Sequence, residues 1–158
     1  MKYQKISEVY ADIQKMNTMY KLPIKLAPSL DFANQTTLQR FDGFVKTLQK
    51  EMDEAPDVRE FLQKYEAVEG SERDAVRIEA LTHLSDWFAD IMVYVVSESL
   101  KFGIPVFDIF HMVMQSNFTK LGAGGKPIYD ENGKFLKGPN FVPPEAMITE
   151  FYKLEGSQ

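Results

Sequence analysis

The sequence predicts an all-α protein, a four- to five-helix bundle followed by an irregular C-terminal segment rich in glycine, proline and lysine. Two observations carry that prediction. Apolar residues recur at spacings of three and four up to about residue 120. The stretch SNFTKLGAGGKPIYDENGKFLKGPNFVPPE, residues 116–145, then loses both the helical and the strand period. A loop of that length inside a compact domain is either disordered or functional. Its lysines, set among Gly122, Gly124, Gly125, Gly133 and Gly138, point to an anionic ligand that the backbone can approach closely.

Taken in order, a first amphipathic helix runs from near Ser7 to Tyr20. It ends in LPIKLAPSLDF, where Pro23 and Pro28 disfavour helix at and before their own positions. A second begins at Thr36 or Thr37 and carries Leu38, Phe41, Phe44, Val45, Leu48, Met52 and Ala55 before Pro56 and Asp57 stop or bend it. DVREFLQKYEAVEG reads as a short helix closed by Gly70. SERDAVRIEALTHLSDWFADIMVYVVSESLKFG reads as a long one, with Ser71 as N-cap, Asp74 three positions on and Gly103 as its stop. Further helices are expected from Pro105 to about Leu121 and from Pro144 to about Leu154. With no internal repeat, low-complexity tract or linker, residues 1–158 read as a single domain, its helical core spanning about 36–121 and a substrate-covering loop about 116–145.

Composition narrows the function. At 158 residues and 44% hydrophobic, the chain can bury one core. Eighteen basic against twenty-three acidic residues leave a net charge of -5, which argues against a general nucleic-acid binder. The absence of cysteine excludes disulfides, thiolate metal sites and a cysteine nucleophile. No signal peptide or membrane span is apparent, so no membrane partner and a cytoplasmic location are expected. There is no Ser, Cys and His arrangement for a covalent intermediate and no phosphate-cradling G-x-x-x-x-G-K-[ST] loop.

The acids are more informative. On a helical wheel centred on Phe44, Leu48, Met52 and Ala55 fall within roughly 80°, and Glu51 falls about 20° to the other side. Glu51 therefore sits at the apolar stripe, where a carboxylate is costly without a cation or hydrogen-bond donors. Glu54 lies beside it, while Asp53 faces water. On the long helix Glu79, His83, Asp86, Asp90 and Ser97 share one stripe. Within WFADIMVYVV, residues 87–96, Asp90 is the sole charge and the apolar residues go right round, so Asp90 is expected to be buried or nearly so. Two pairs of inward carboxylates suggest an oxygen-ligand site for a hard divalent ion such as Mg²⁺, which keeps several waters and shares its shell with substrate phosphates. Lysines of the loop would then meet those phosphates. Plainer readings are a solvated or salt-bridged Glu51 and Glu54, an Asp90 paired with a lysine or a tyrosine hydroxyl, Asp86 as a surface acid, His83 as a surface residue or a hydrogen-bond partner behind the ligands, and His111 as a structural residue.

At these residues a resemblance appears. EMDEA followed by SDWFADIMVYVVSESLKFGIP resembles the paired acidic helices of the all-alpha nucleoside-triphosphate pyrophosphohydrolase superfamily, which includes MazG, the phosphoribosyl-ATP pyrophosphohydrolases and the dimeric dUTPases. SNFTKL, GKPIYDENGK and LKGPNFVPPE are similar to tail segments of a phosphoribosyl-ATP pyrophosphohydrolase-like subgroup, and the likeness spans roughly residues 36–146. In that superfamily E-x-x-E on one helix and E-x-x-D on the next bind Mg²⁺, and the enzymes cleave between the α and β phosphates to give a nucleoside monophosphate and pyrophosphate. The resemblance implies Glu51 and Glu54 as first-motif ligands and catalytic carboxylates, and Asp90 as the closing aspartate. The glutamate expected three residues before Asp90 is Trp87 here, and Asp86 is the substitute ligand, since spacings of three and four are both neighbours on a helix. Asn117, Lys120, Lys126, Lys137 and Asn140 match tail residues for which substrate contacts are implied. Expected with them are Mg²⁺, with Mn²⁺ as a substitute, a nucleoside triphosphate or related nucleotide, and a homodimer or homotetramer. The alternative is a catalytically weak or inactive nucleotide-binding or assembly module of the same fold; a purely structural helical bundle is the third reading.

Overall fold

The computed structural model describes residues 5–155 and is mostly helical, as an all-α sequence requires. The chain divides into two compact units, Met1–Ile104 and Pro105–Gln158. The boundary falls inside the stretch expected to form one helical core.

The first unit holds α1 (Ile6–Met19), α2 (Thr37–Asp53), α3 (Ala55–Ala67) and α4 (Arg73–Phe102). Thr36 starts α2 with a reciprocal cap: its hydroxyl accepts from the Gln39 amide at 3.1 Å, and the Gln39 side chain accepts from the Thr36 amide at 2.8 Å. The long helix α4 is the spine, against which α1, α2 and α3 all pack. Ser71 is not its N-cap. Gly70–Glu72 form a short 3₁₀ turn, entered at Gly70 with φ of 76°, so the capping position passes to Glu72. Ile13, Val58, Val76, Ala80, Val96 and Leu100 make the core.

The C-terminal end of α4 is held by the proline-containing segment after α1. The Lys25 amide donates to the Leu100 carbonyl at 3.0 Å, and the Ser29 amide to that of Phe102 at 2.9 Å, satisfying acceptors that a helix end leaves open. Gly103 closes the helix in the left-handed region at φ of 67°, where a Cβ would lie 2.2 Å from the Ala27 carbonyl oxygen. Beneath this cap, Asn17 is fully buried, donating to the Ser97 carbonyl at 3.2 Å and accepting from the Ser97 hydroxyl at 2.7 Å. Arg40 of α2 grips both oxygens of the buried Glu98 carboxylate, which also accepts from Lys101 at 3.2 Å. Polar groups so placed are tolerated because each finds its partner.

Further up α4 the expectation of all-round burial fails. Phe88 is 58% exposed and Met92 47%, and Asp90 is exposed rather than buried. Three short helices cover only part of the circumference of a 30-residue helix, so its remaining apolar side chains face outward.

The second unit holds α5 (Val106–Phe118), a hairpin of β1 (Ile128–Tyr129) and β2 (Phe135–Leu136), and α6 (Pro144–Glu155). The segment 116–145 is therefore not a featureless loop. Its hairpin has two-residue strands, too short to show a period in sequence. Asp130 shapes the turn by accepting from the amides of Asn132 and Lys134 at 2.9 and 2.8 Å. Among the described residues no helix is long and apolar enough to cross a membrane.

Replacing Arg40 with alanine leaves the buried Glu98 carboxylate with only Lys101, and a loss of about 3 kcal/mol in urea-unfolding free energy is expected. Replacing Arg40 and Glu98 together with methionine should recover most of it; a double-variant loss equal to the sum of the two single losses would show that the pair is not coupled.

Candidate active site

Pro56 sets the geometry of the site. It occupies the first turn of α3, where its missing N–H is no loss, and α2 cannot run through it. Glu54 thus serves as both the C-cap of α2 and the N-cap of α3. Its amide donates to the Glu51 carbonyl at 3.2 Å, and its own carbonyl accepts from Asp57 at 3.0 Å. The joint is pinned to α4 by Trp87, whose indole N–H donates to the same Glu51 carbonyl at 2.7 Å. Trp87 thus holds the backbone at Glu51.

From this joint α3 and α4 run in opposite directions. Phe61 stacks on His83, with ring centroids 3.6 Å apart and planes 9° from parallel, and one turn on Lys64 pairs with Glu79 at 2.7 Å. Between the two helices lies a cavity of about 230 Å³. Glu54, Asp57, Asp86 and Asp90 give it four carboxylates; Phe61, His83 and Trp87 give it rings, together with Val58. No lysine or arginine lines it.

Glu51 lies just behind, only 7% exposed. Burial raises its pKa above the usual carboxylate value of 4.5, and the charges of Glu54 and then Asp90 raise it further. A hydrogen bond with the Tyr94 side chain opposes these effects. Burial raises the Tyr94 hydroxyl as well, followed by the charges of Glu51 and Asp90. The structure therefore brings Glu51, Glu54 and Asp90 into one electrostatic neighbourhood. Asp86 lines the cavity but is not among the charges acting on Glu51.

Among the described residues no three His, Asp or Glu side chains gather closely enough to hold a metal ion by themselves. The donor set is nonetheless dominated by four carboxylates, with His83 the one imidazole and no lysine or arginine in the lining. It fits an ion that keeps water and substrate oxygens in its shell, as Mg²⁺ does with one or two carboxylates, and does not fit a cage built wholly of protein.

The tail residues belong to the second unit. The Lys120 carbonyl accepts from the Gly138 amide at 2.8 Å, and the Lys120 and Lys137 ammonium groups each lie by the ring of Phe141, at 5.9 and 4.5 Å from its centroid. Asn117 lies in the last turn of α5, Lys126 is exposed with its carbonyl accepting from Gly122 at 2.8 Å, and Asn140 is exposed in a turn.

Asp57, Phe61 and Tyr94 were not singled out from sequence as site residues. Asp57 repeats the three-residue step from Glu51 to Glu54, and Tyr94 stands four residues after Asp90, so spacing alone could have flagged both. The stacking of Phe61 on His83 had no such signal, because it depends on how α3 and α4 face each other.

No family model and no curated protein matches the sequence. Among solved structures, the chain is similar to one described as a "putative NTP pyrophosphohydrolase" from Exiguobacterium sp. 255-15, at 19% identity and a TM-score of 0.47, over 94% of this chain and 97% of that one. Similarity at that level bears on neither mechanism nor substrate.

In the folded chain Glu51 keeps its proton at pH values where the unfolded chain has lost it. Its contribution to stability therefore falls as pH rises from 4.5 through the raised folded value, and the penalty is complete above that. With a chelator present, Glu51→Gln is expected to raise the melting temperature at neutral pH, and the gain should vanish below pH 4.5. A variant that melts lower than wild type at neutral pH contradicts this.

Proposed function

We propose that the chain is a Mg²⁺-dependent nucleoside triphosphate pyrophosphohydrolase, cleaving between the α and β phosphates to release a nucleoside monophosphate and pyrophosphate. The observation that carries this reading is that the charges of Glu54 and Asp90 both act on Glu51 beside a cavity whose lining has no lysine or arginine. Like charges gathered in that way favour a divalent cation, and with it a polyphosphate.

In this reading Glu54 and Asp90 hold the ion, with Glu51 behind them and Asp86 at the margin; Mn²⁺ would substitute. Bound there, the ion offsets phosphate charge and makes phosphorus more electrophilic. The protein's own part is to position and to accept a proton. Glu51, with its raised proton affinity, acts as the base: the water oxygen bonds to phosphorus, its proton passes to the Glu51 carboxylate, and the bridging P–O bond breaks to release pyrophosphate. Tyr94 orients that carboxylate, and Trp87 fixes the backbone that carries it. A second reading, a nucleotide-binding module without turnover, is favoured by Trp87 in place of the motif glutamate. A homodimer or homotetramer is part of the proposal, supported by Phe88, Met92 and Val95 exposed along one helix.

Pyrophosphate release from a panel of nucleoside triphosphates should require Mg²⁺ and fall roughly a hundredfold or more in Glu51→Gln and Asp90→Asn. Mg²⁺-dependent nucleotide binding with no pyrophosphate released would select the module instead. In sedimentation equilibrium the wild type should run as a dimer or tetramer and Phe88→Glu as a smaller species; a wild-type monomer removes the assembly.

A further inference from the structure

The cavity between α3 and α4 has two chemically different ends. Glu54 and Asp90 stand at one end, near Glu51; the stacked Phe61 and His83 stand at the other, seven residues along each helix. At 1.5 Å per residue the two ends are about 10 Å apart. Its volume of about 230 Å³ lies below the 300–1,000 Å³ usual for pockets that enclose a whole small molecule. It has room for part of a substrate.

We infer that the Phe61–His83 end receives the base of the nucleotide, and that Asp57 and Asp86 select bases carrying an exocyclic amino group. This rests on the pyrophosphohydrolase reading. A planar heteroaromatic ring gains by contact with aromatic side chains, and Trp87, Phe61 and His83 supply three. Carboxylates accept hydrogen bonds and do not donate them, so Asp57 and Asp86, midway along the cavity, favour an amino group and oppose a carbonyl at the same place. No lysine or arginine lines the cavity, and the one imidazole at this end, His83, is stacked on Phe61. The Lys64–Glu79 ion pair, a turn further on, is already satisfied. Phe61 and Asp57 are thus specificity residues, and Asp86 serves the base rather than the metal.

Trp87 is the sole tryptophan of the chain and lines the cavity, so its fluorescence reports what enters. Nucleosides, which lack phosphate, are titrated with a chelator present. Cytidine and guanosine should change the signal saturably, and bind about fivefold or more tightly than uridine and inosine. Asp57→Asn, a change at an exposed position, should shrink that preference, and Phe61→Leu should weaken all binding about tenfold. Equal binding of all four nucleosides, no saturable response, a preference unchanged in Asp57→Asn, or a response to spermidine alone overturns the inference. Neither metal nor hydrolysis enters this titration. Selective nucleoside binding without pyrophosphate release would remove the reaction and keep the base site; the converse would keep the reaction and remove the base site.

Discussion

The hydrogen bond from the Trp87 indole to the Glu51 carbonyl is the contact on which the candidate site depends. Pro56 forces the chain to end one helix and begin another at Glu54, and the hydrogen bonds within that joint do not tie it to α4. Tying it to the middle of α4 fixes both acids of the first motif relative to Asp90. The bond uses the backbone of Glu51 and leaves its carboxylate free for Tyr94 and for the cavity. A glutamate at position 87 would add an acid to the site but could not donate this bond while ionised. Tryptophan at this position thus supplies a donor and no charge.

The rest of the first unit supports that arrangement from below. α4 acts as a lever whose foot is clamped by the segment after α1, by the Asn17–Ser97 pair and by the Arg40–Glu98–Lys101 cluster. Buried polar groups of this kind contribute more to fixing one geometry than to net stability, because their partners must align for desolvation to be offset. With the foot fixed, the upper half of α4 can afford exposed apolar residues on one side and a cavity on the other. Carboxylates left near one another there are tolerated through proton affinity, as at Glu51 behind the cavity, or through solvent, as at Asp90 in its lining.

Helix positions were readable because they follow from local rules: Thr36 and Gln39 form their cap within four residues, Pro56 breaks a helix wherever it falls, and Gly103 is the natural residue for a left-handed stop. The burial of Glu51 was legible for the same reason, since its place on the α2 stripe is a matter of angle. Where two cues competed locally, as at Ser71 against the glycine turn at Gly70, spacing alone chose the wrong cap. The strands at Ile128–Tyr129 and Phe135–Leu136 escaped notice because two residues cannot display an alternation.

By itself the sequence determined the all-α class, the order and approximate ends of the helices and the placing of Glu51 at an apolar edge, since all of these are properties of residues within a few positions of one another. Only the tertiary structure decided that Asp90 is solvent-exposed in a cavity wall, that Trp87 holds the Glu51 backbone, and that Phe61 lies on His83. Those facts depend on which side of α4 its three neighbours leave uncovered and on the register in which α3 runs against it. Such a register is fixed by packing among residues 20 to 40 positions apart, a range over which helical periodicity carries no information.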